Sequence, residues 1–254
     1  MPCKCYSKCS SFGRIIQFKR VPIGTLLQIV MKKIDPTTLM EAGVHYGYSR
    51  TRRHPTVTNF IYGNKNGVDI IDAEKTVIAL EKAGEFLASL GAAGKNVLFV
   101  GVKPEARNAT IATASALSQP FVTERWIGGM LTNFVQMKVR IQKLEKMRED
   151  RTNGEFEKYT KKEQILLTRE MARLDKYFAG VVGLYKMPEA VVIIDPKKES
   201  IALLEARKMN IPVISIGNTD CSVRGIDYPI VANDSSTSSI ATILGILKDA
   251  FEGK

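Results

Sequence analysis

No phosphate-cradling loop is spelled anywhere in the 254 residues: neither G-x-x-x-x-G-K-[ST] nor a G-x-G-x-x-G after a strand occurs. Histidine is almost missing. The only two, His45 and His54, fall in one stretch, Gly43 to Gly63, that holds no Cys, Asp or Glu. That leaves no general base in the later apolar strands and no recognisable metal-ligand set. Four Cys are too few and too badly spread for a disulfide framework, with Cys3, Cys5 and Cys9 at one end and Cys221 alone. Their scarcity suits a reducing compartment, and the C-x-C-x3-C spacing lacks a fourth nearby ligand for zinc. No apolar run approaches the roughly 18 residues of a membrane span. Val21 to Val30 is too short, lacks a small-residue cleavage signal and is followed by more basic residues. Acidic residues are absent from residues 1–30, which carry Lys4, Lys8, Arg14, Lys19 and Arg20. Such an arm suits a disordered basic extension, an organellar targeting peptide, or an overlong reading frame whose natural start is Met31. The last is preferred, because the sequence from Met31 reads like a fresh amino terminus.

Positive charge is what the chain has in excess, +11 in all, and it is segregated. Residues 1–55 hold ten Lys/Arg against two Asp/Glu, and residues 131–178 hold twelve against eight. Residues 56–130 and 179–254 are nearly neutral, at seven against seven and eight against nine. Clustered cations favour a polyanionic partner, since phosphate neutralisation and counterion release need them close together. The alternative is a solvated basic surface kept for solubility.

After Met31, Asp35-Pro36 opens a short helix that Gly43 terminates. Gly43 to Gly63 shows no apolar period, and its Arg50, Arg52 and Arg53 beside Tyr46, Tyr48 and His54 suit phosphate clamping and base stacking on irregular RNA. Asn66-Gly67 joins two short strands. Asp72 caps a helix whose Val77, Leu80, Ala83, Leu87 and Leu90 recur at helical spacing, with Gly91 at its end. Asn96 to Gly101 is a buried strand, Pro104 to Leu117 a helix, and Phe121 to Thr123 the next strand. Then Arg125 to Phe134, RWIGGMLTNF, leads into charged sequence. There Phe134, Met137, Ile141 and Leu144, and again Leu167, Met171, Leu174 and Phe178, step by three and four. Gly154 lies between the two runs, which predicts an antiparallel coiled-coil hairpin projecting from the domain. The α/β pattern resumes with a strand at Ala190 to Asp195, a helix from Asp195-Pro196 to about Met209, and strands at Pro212 to Gly217 and Tyr228 to Asp234. A final helix led in by Asn233, Asp234 and Ser235 ends near Phe251.

Five strands interleaved with helices predict a doubly wound, mostly parallel α/β sheet of Rossmann or flavodoxin type. Its strand ends offer Gly101, Lys103, Asp195, Gly217, Asn218, Asp220, Asn233 and Asp234, so an enzyme acting there competes with a binding module. The missing phosphate loops and the missing sheet His weigh against the enzyme, and helix capping accounts for Asp195 and Asp234. In RWIGGMLTN, Gly128 and Gly129 permit a tight turn, Thr132 or Asn133 can cap the following helix, and Trp126 anchors the turn to the core.

The chain resembles the S-two protein family of the bacterial small ribosomal subunit from about Met31 to Phe251. The residues that carry the likeness are GVHYG (Gly43–Gly47), RRHP with FIYG after it, NGVDIIDAEKT, LFVG, RWIGGMLTN, TKKE, PEAVVIID and IPVISI with its GID and AND loops. His54 stands where many members carry a Trp, and Gly217 to Asp220 replaces their usual Asp-Thr-Asn. The resemblance implies a non-catalytic, structural protein without cofactor or metal, bound to small-subunit rRNA and neighbouring ribosomal proteins, and to the mRNA-binding S-one protein where that protein is present. It implies no membrane and no homo-oligomer, and a cytoplasmic ribosome, with an organellar one as alternative. Domains are expected at 31–130 with 180–254 (the α/β part) and at 131–179 (the hairpin), behind the 1–30 extension. Expected rRNA contacts are Arg50, Arg52, Arg53, His54, Lys103, Arg125, Lys138 and Arg140. Trp126, Gly128, Gly129 and Asn133 are expected to form the junction.

Overall fold

The computed structural model describes residues 34–253. The basic arm, its three Cys and the start at Met31 lie outside the described residues. Helix α1 (Pro36–Glu41) follows Asp35 at its N-cap and ends before Gly43, which turns at φ +74° as a terminating glycine should. The next segment departs from expectation. Instead of an unorganised loop it contains strand β1 (Tyr46–Ser49), which pairs antiparallel with β3 (Val68–Ile71), and β3 pairs with β2 (Ile61–Lys65). The β2–β3 turn has Asn66 at φ 53° and Gly67 at φ 79°, the left-handed pair that a two-residue hairpin demands.

Strands β4 (Val97–Val100), β5 (Phe121–Val122), β6 (Ala190–Ile194), β7 (Val213–Gly217) and β8 (Tyr228–Val231) form a parallel sheet ordered β5-β4-β6-β7-β8. The order reverses between β4 and β6, so this is a doubly wound sheet of the flavodoxin pattern. Its central strands are buried on both sides, which is why they read as unbroken apolar runs. Alternation divides them between two cores. Val97, Phe99, Val192 and Ile194 pack with Leu80 and Leu87 of α2 (Ala73–Ala92) and with Ile240 and Leu244 of α7 (Thr237–Glu252). Ala106 and Ala114 of α3 (Pro104–Ala116) join that core. Leu98, Val100, Val191 and Ile193 pack on the opposite face with Trp126, Met130 and Leu131, and with Ala202 and Ala206 of α6 (Ser200–Lys208).

Helices α4 (Phe134–Thr152) and α5 (Lys161–Phe178) meet along their apolar stripes. They are tied by Arg148–Asp175 at 2.6 Å and Lys143–Glu170 at 2.5 Å. The chain between them turns at Gly154, φ +74°, and α5 starts with Glu163 reaching back to the Thr160 N–H at 3.0 Å. The stripe is more than a seam between two helices. Met137, Ile141, Leu144, Met147, Met171 and Phe178 are continuous, through Val181 and Leu184, with the second core of the sheet.

Three element ends differ from expectation. Gly91 lies inside α2, where a side chain would meet the Phe251 carbonyl, its would-be Cβ falling only 2.1 Å from that oxygen. It is a point of close approach between α2 and α7, and Gly94 at φ +61° follows the helix end instead. Helix α6 begins at Ser200, because Asp195 adopts φ +61° and its carbonyl accepts from Lys198 and Glu199 in a separate turn. Helix α7 is capped by Ser236, not by the three residues before it.

Candidate nucleic-acid interface

In an open α/β sheet the natural ligand crevice lies at the carboxyl ends of the strands where their order reverses. Here that place is filled from within. Lys103, after β4, is only 6% exposed, with its Nζ 3.0 Å from Asp234 Oδ2 and 3.8 Å from Asp195 Oδ2. Tyr48 of β1 lies over it, its hydroxyl accepting from Lys103 at 3.3 Å and sharing a 2.7 Å hydrogen bond with Ser235. The Tyr48 N–H donates to Thr219 Oγ1 at 3.0 Å, and the His54 N–H donates to the Thr219 carbonyl at 2.8 Å. Gly47 makes this contact feasible, since a Cβ there would sit 2.8 Å from Thr219 Cγ2 and from the Asp69 carbonyl. The small sheet thus lies against the strand ends.

Burial works against the Lys103 charge, but Asp234 and the Tyr48 hydroxyl outweigh it and hold the ammonium above the ordinary lysine value. Burial, helped by Asp234, pushes the Asp195 carboxyl up. Burial also pushes the Cys221 thiol up, reinforced by Asp220, so this cysteine is no activated nucleophile. Among the described residues no group of His, Cys, Asp and Glu is placed to hold a metal ion, and no helix is long and apolar enough to cross a membrane.

The junction is organised by a residue for which the local sequence gives no sign. Glu205 of α6 accepts from the Trp126 indole N–H at 3.3 Å and from the Gly129 N–H at 2.7 Å with one oxygen. Its other oxygen takes the Leu131 N–H at 3.0 Å and the Thr132 N–H and hydroxyl, each at 3.3 Å. Burial raises the cost of this carboxylate, yet the converging N–H donors overcome it and hold the group below its ordinary value. Gly129 turns at φ +90°, and Trp126 is buried, as an anchoring role requires. Asn133 stands at the α4 N-cap without a capping side-chain bond, and the Thr132 hydroxyl is turned to Glu205.

The expected RNA-contacting residues separate into two sets. Arg50, Arg52, Arg125 and Arg140 are exposed, and Lys138 is half-buried. Arg52 lies 5.9 Å from the Tyr48 ring, a cation–π distance. The other set faces inward. Lys103 is buried and paired with Asp234 and Asp195, as described. Arg53 donates through Nε at 2.7 Å and Nη2 at 2.5 Å to the fully buried Asp69, a bidentate pair that lowers the Asp69 carboxyl and raises the guanidinium. The His54 ring accepts from the Thr56 N–H at 3.3 Å and bonds its hydroxyl at 2.7 Å, so it caps the turn beginning at Pro55.

The family model of ribosomal protein S2 matches residues 39–253. The chain belongs to the ribosomal protein S2 family. It is similar to the small ribosomal subunit protein uS2 of Dictyoglomus thermophilum, 42% identical over 90% of this chain and 92% of that protein. It is similar also to the uS2 proteins of Rhodococcus opacus and Rhodococcus jostii. Each is 41% identical over 87% of this chain, covering 76% and 73% of their lengths respectively. Membership in this family makes it a structural, non-enzymatic protein.

Proposed function

We propose that the chain is a structural constituent of the small ribosomal subunit in translation, holding small-subunit rRNA through arginines that its own fold leaves free. The observation that carries this reading is the split among its cations. Arg50, Arg52, Arg125 and Arg140 are exposed, and none is given an ion-pair or hydrogen-bond partner by its side chain among the described residues. Such contacts go to phosphates, position the protein and read little sequence. Residues 131–179 act as an insertion in the α/β domain formed by 31–130 and 180–254. Exposed apolar side chains on that insertion, Val135, Val139, Ile165 and Leu166, suit neighbouring ribosomal proteins, the S-one protein among them. The chain works as a single copy within a cytoplasmic ribosome. Changing Arg50 and Arg52 together to Ala should weaken rRNA binding by about the same factor on different sequences. It should also flatten the log K against log salt slope by about 0.7–0.9 for each lost phosphate contact. An unchanged affinity and slope would remove this loop from the interface.

A further inference from the structure

A cleft of about 460 Å³ opens beside the RWIGG turn, between it and the outer faces of α4 and α5. Three guanidinium groups line it, Arg125 from the turn, Arg140 from α4 and Arg173 from α5. All three are exposed, and their side chains have neither an ion pair nor a hydrogen bond among the described residues. The one carboxylate in the wall, Glu170, already pairs with Lys143 at 2.5 Å. Three aromatic side chains border the cleft, of which Phe178 is buried in the second core. Trp126 is 5% exposed and its indole N–H is taken by Glu205, so its ring is a fixed wall. Tyr177, one helical turn beyond Arg173, is half-buried, and no hydrogen bond is drawn by its hydroxyl among the described residues.

We propose that this cleft receives a single unpaired nucleotide of RNA, with the three arginines on its flanking phosphates and the Tyr177 ring against its base. The proposal rests on the rRNA-binding reading above and adds a site to it. Guanidinium forks match phosphate oxygens two at a time, and their planes stack on bases as well. The volume falls in the roughly 300–1,000 Å³ range of sites that enclose a whole small ligand, more room than one phosphate contact uses. RNA recognition commonly takes splayed-out bases on aromatic and Arg surfaces in just such pockets. An acidic peptide would use the cations and leave the tyrosine face without purpose.

The test uses the full chain with small-subunit rRNA, a short single-stranded oligoribonucleotide, an RNA duplex of equal length and an acidic peptide. The wild type should bind the single strand more tightly than the duplex. Tyr177→Leu should weaken single-strand binding by roughly 10-fold, whereas Tyr177→Phe should bind as the wild type does. Arg140→Ala with Arg173→Ala should flatten the salt slope by about 1–2. Thermal melting of each variant separates lost binding from lost folding, and the exposed pair Arg140→Ala with Arg173→Ala carries the test should Tyr177→Leu prove unstable. The proposal is overturned if the arginine pair leaves oligonucleotide affinity unchanged, or if the peptide displaces the single strand and binds more tightly. If those variants bind rRNA like the wild type while Arg50→Ala with Arg52→Ala does not, the cleft falls and the wider reading stands. If the wild type binds no rRNA, the wider reading falls first.

Discussion

Asp195 and Glu205 are nearly equally buried, at 6% and 7% exposure, yet their carboxyls move in opposite directions. Asp195 sits beside another carboxylate, Asp234, and shares one lysine with it, so burial and like charge raise it. Glu205 is surrounded by backbone and indole N–H groups that favour the charged form against its burial. Burial alone therefore does not set the cost of a carboxylate. What converges on its oxygens does. The same contrast separates two regions of the molecule: at the strand ends opposite charges face one another, and at the junction one charge accepts from five donors of a single turn.

Breaking the first arrangement should have the largest effect. Lys103→Met leaves Asp234 and Asp195 buried without their cation and should cost roughly 3–5 kcal/mol of folding stability, read from the denaturant midpoint. A loss below about 1 kcal/mol would show that the two carboxyls share a proton readily and that the lysine is dispensable. Glu205→Gln is next, at about 2–4 kcal/mol, because the amide nitrogen would face N–H donors and leave some of them unsatisfied. That variant should also disturb the Trp126 fluorescence, since the indole loses its acceptor.

The smallest effect sharpens the comparison through pH. Asp195→Asn should change stability at pH 7 by no more than about 1 kcal/mol in either direction, as Asp234 retains Lys103 and Asn tolerates the left-handed backbone. Glu205 has a lowered folded value, so its contribution is present above its ordinary 4.5 and is lost as the pH falls below it. Asp195 has a raised folded value. Its contribution is full below the ordinary 3.8 and is lost as the pH rises through the folded value. As the pH falls from neutral to 3.8, Asp195→Asn should therefore lose more stability than the wild type. Below pH 4.5, Glu205→Gln should lose less. Parallel stability curves for all three proteins would remove the contrast.

The sequence shows one of these regions better than the other. Continuous apolar runs disclose β4, β6 and β7 because those strands are covered on both sides, and Asn66-Gly67 discloses the β2–β3 turn because few other pairs adopt its backbone. Strand β1 stays hidden. Its Tyr-Gly-Tyr-Ser has no apolar alternation, and it is held by β3 and by the distant Thr219. The basic loop is visible in composition, but which of its cations are free is not. Arg52 and Arg53 are adjacent, and only the folded position of Asp69 decides that Arg53 turns inward. Lys103 looks like a surface cation in sequence for the same reason, its partners lying at 195 and 234. Glu205 occupies an ordinary helical pattern, and its donors come from residues 126–132. Arg173 and Tyr177 likewise become a pair with Arg125 only when α5 packs near the turn.

The Glu205 carboxylate has a further consequence for the start of α4. The amides it gathers, of Gly129, Leu131 and Thr132, belong to the residues just before that helix. A fixed negative charge therefore stands close to the amino end of α4, where the helical dipole favours one. One carboxylate holds both the turn and the approach to the helix, so loosening either loosens the other.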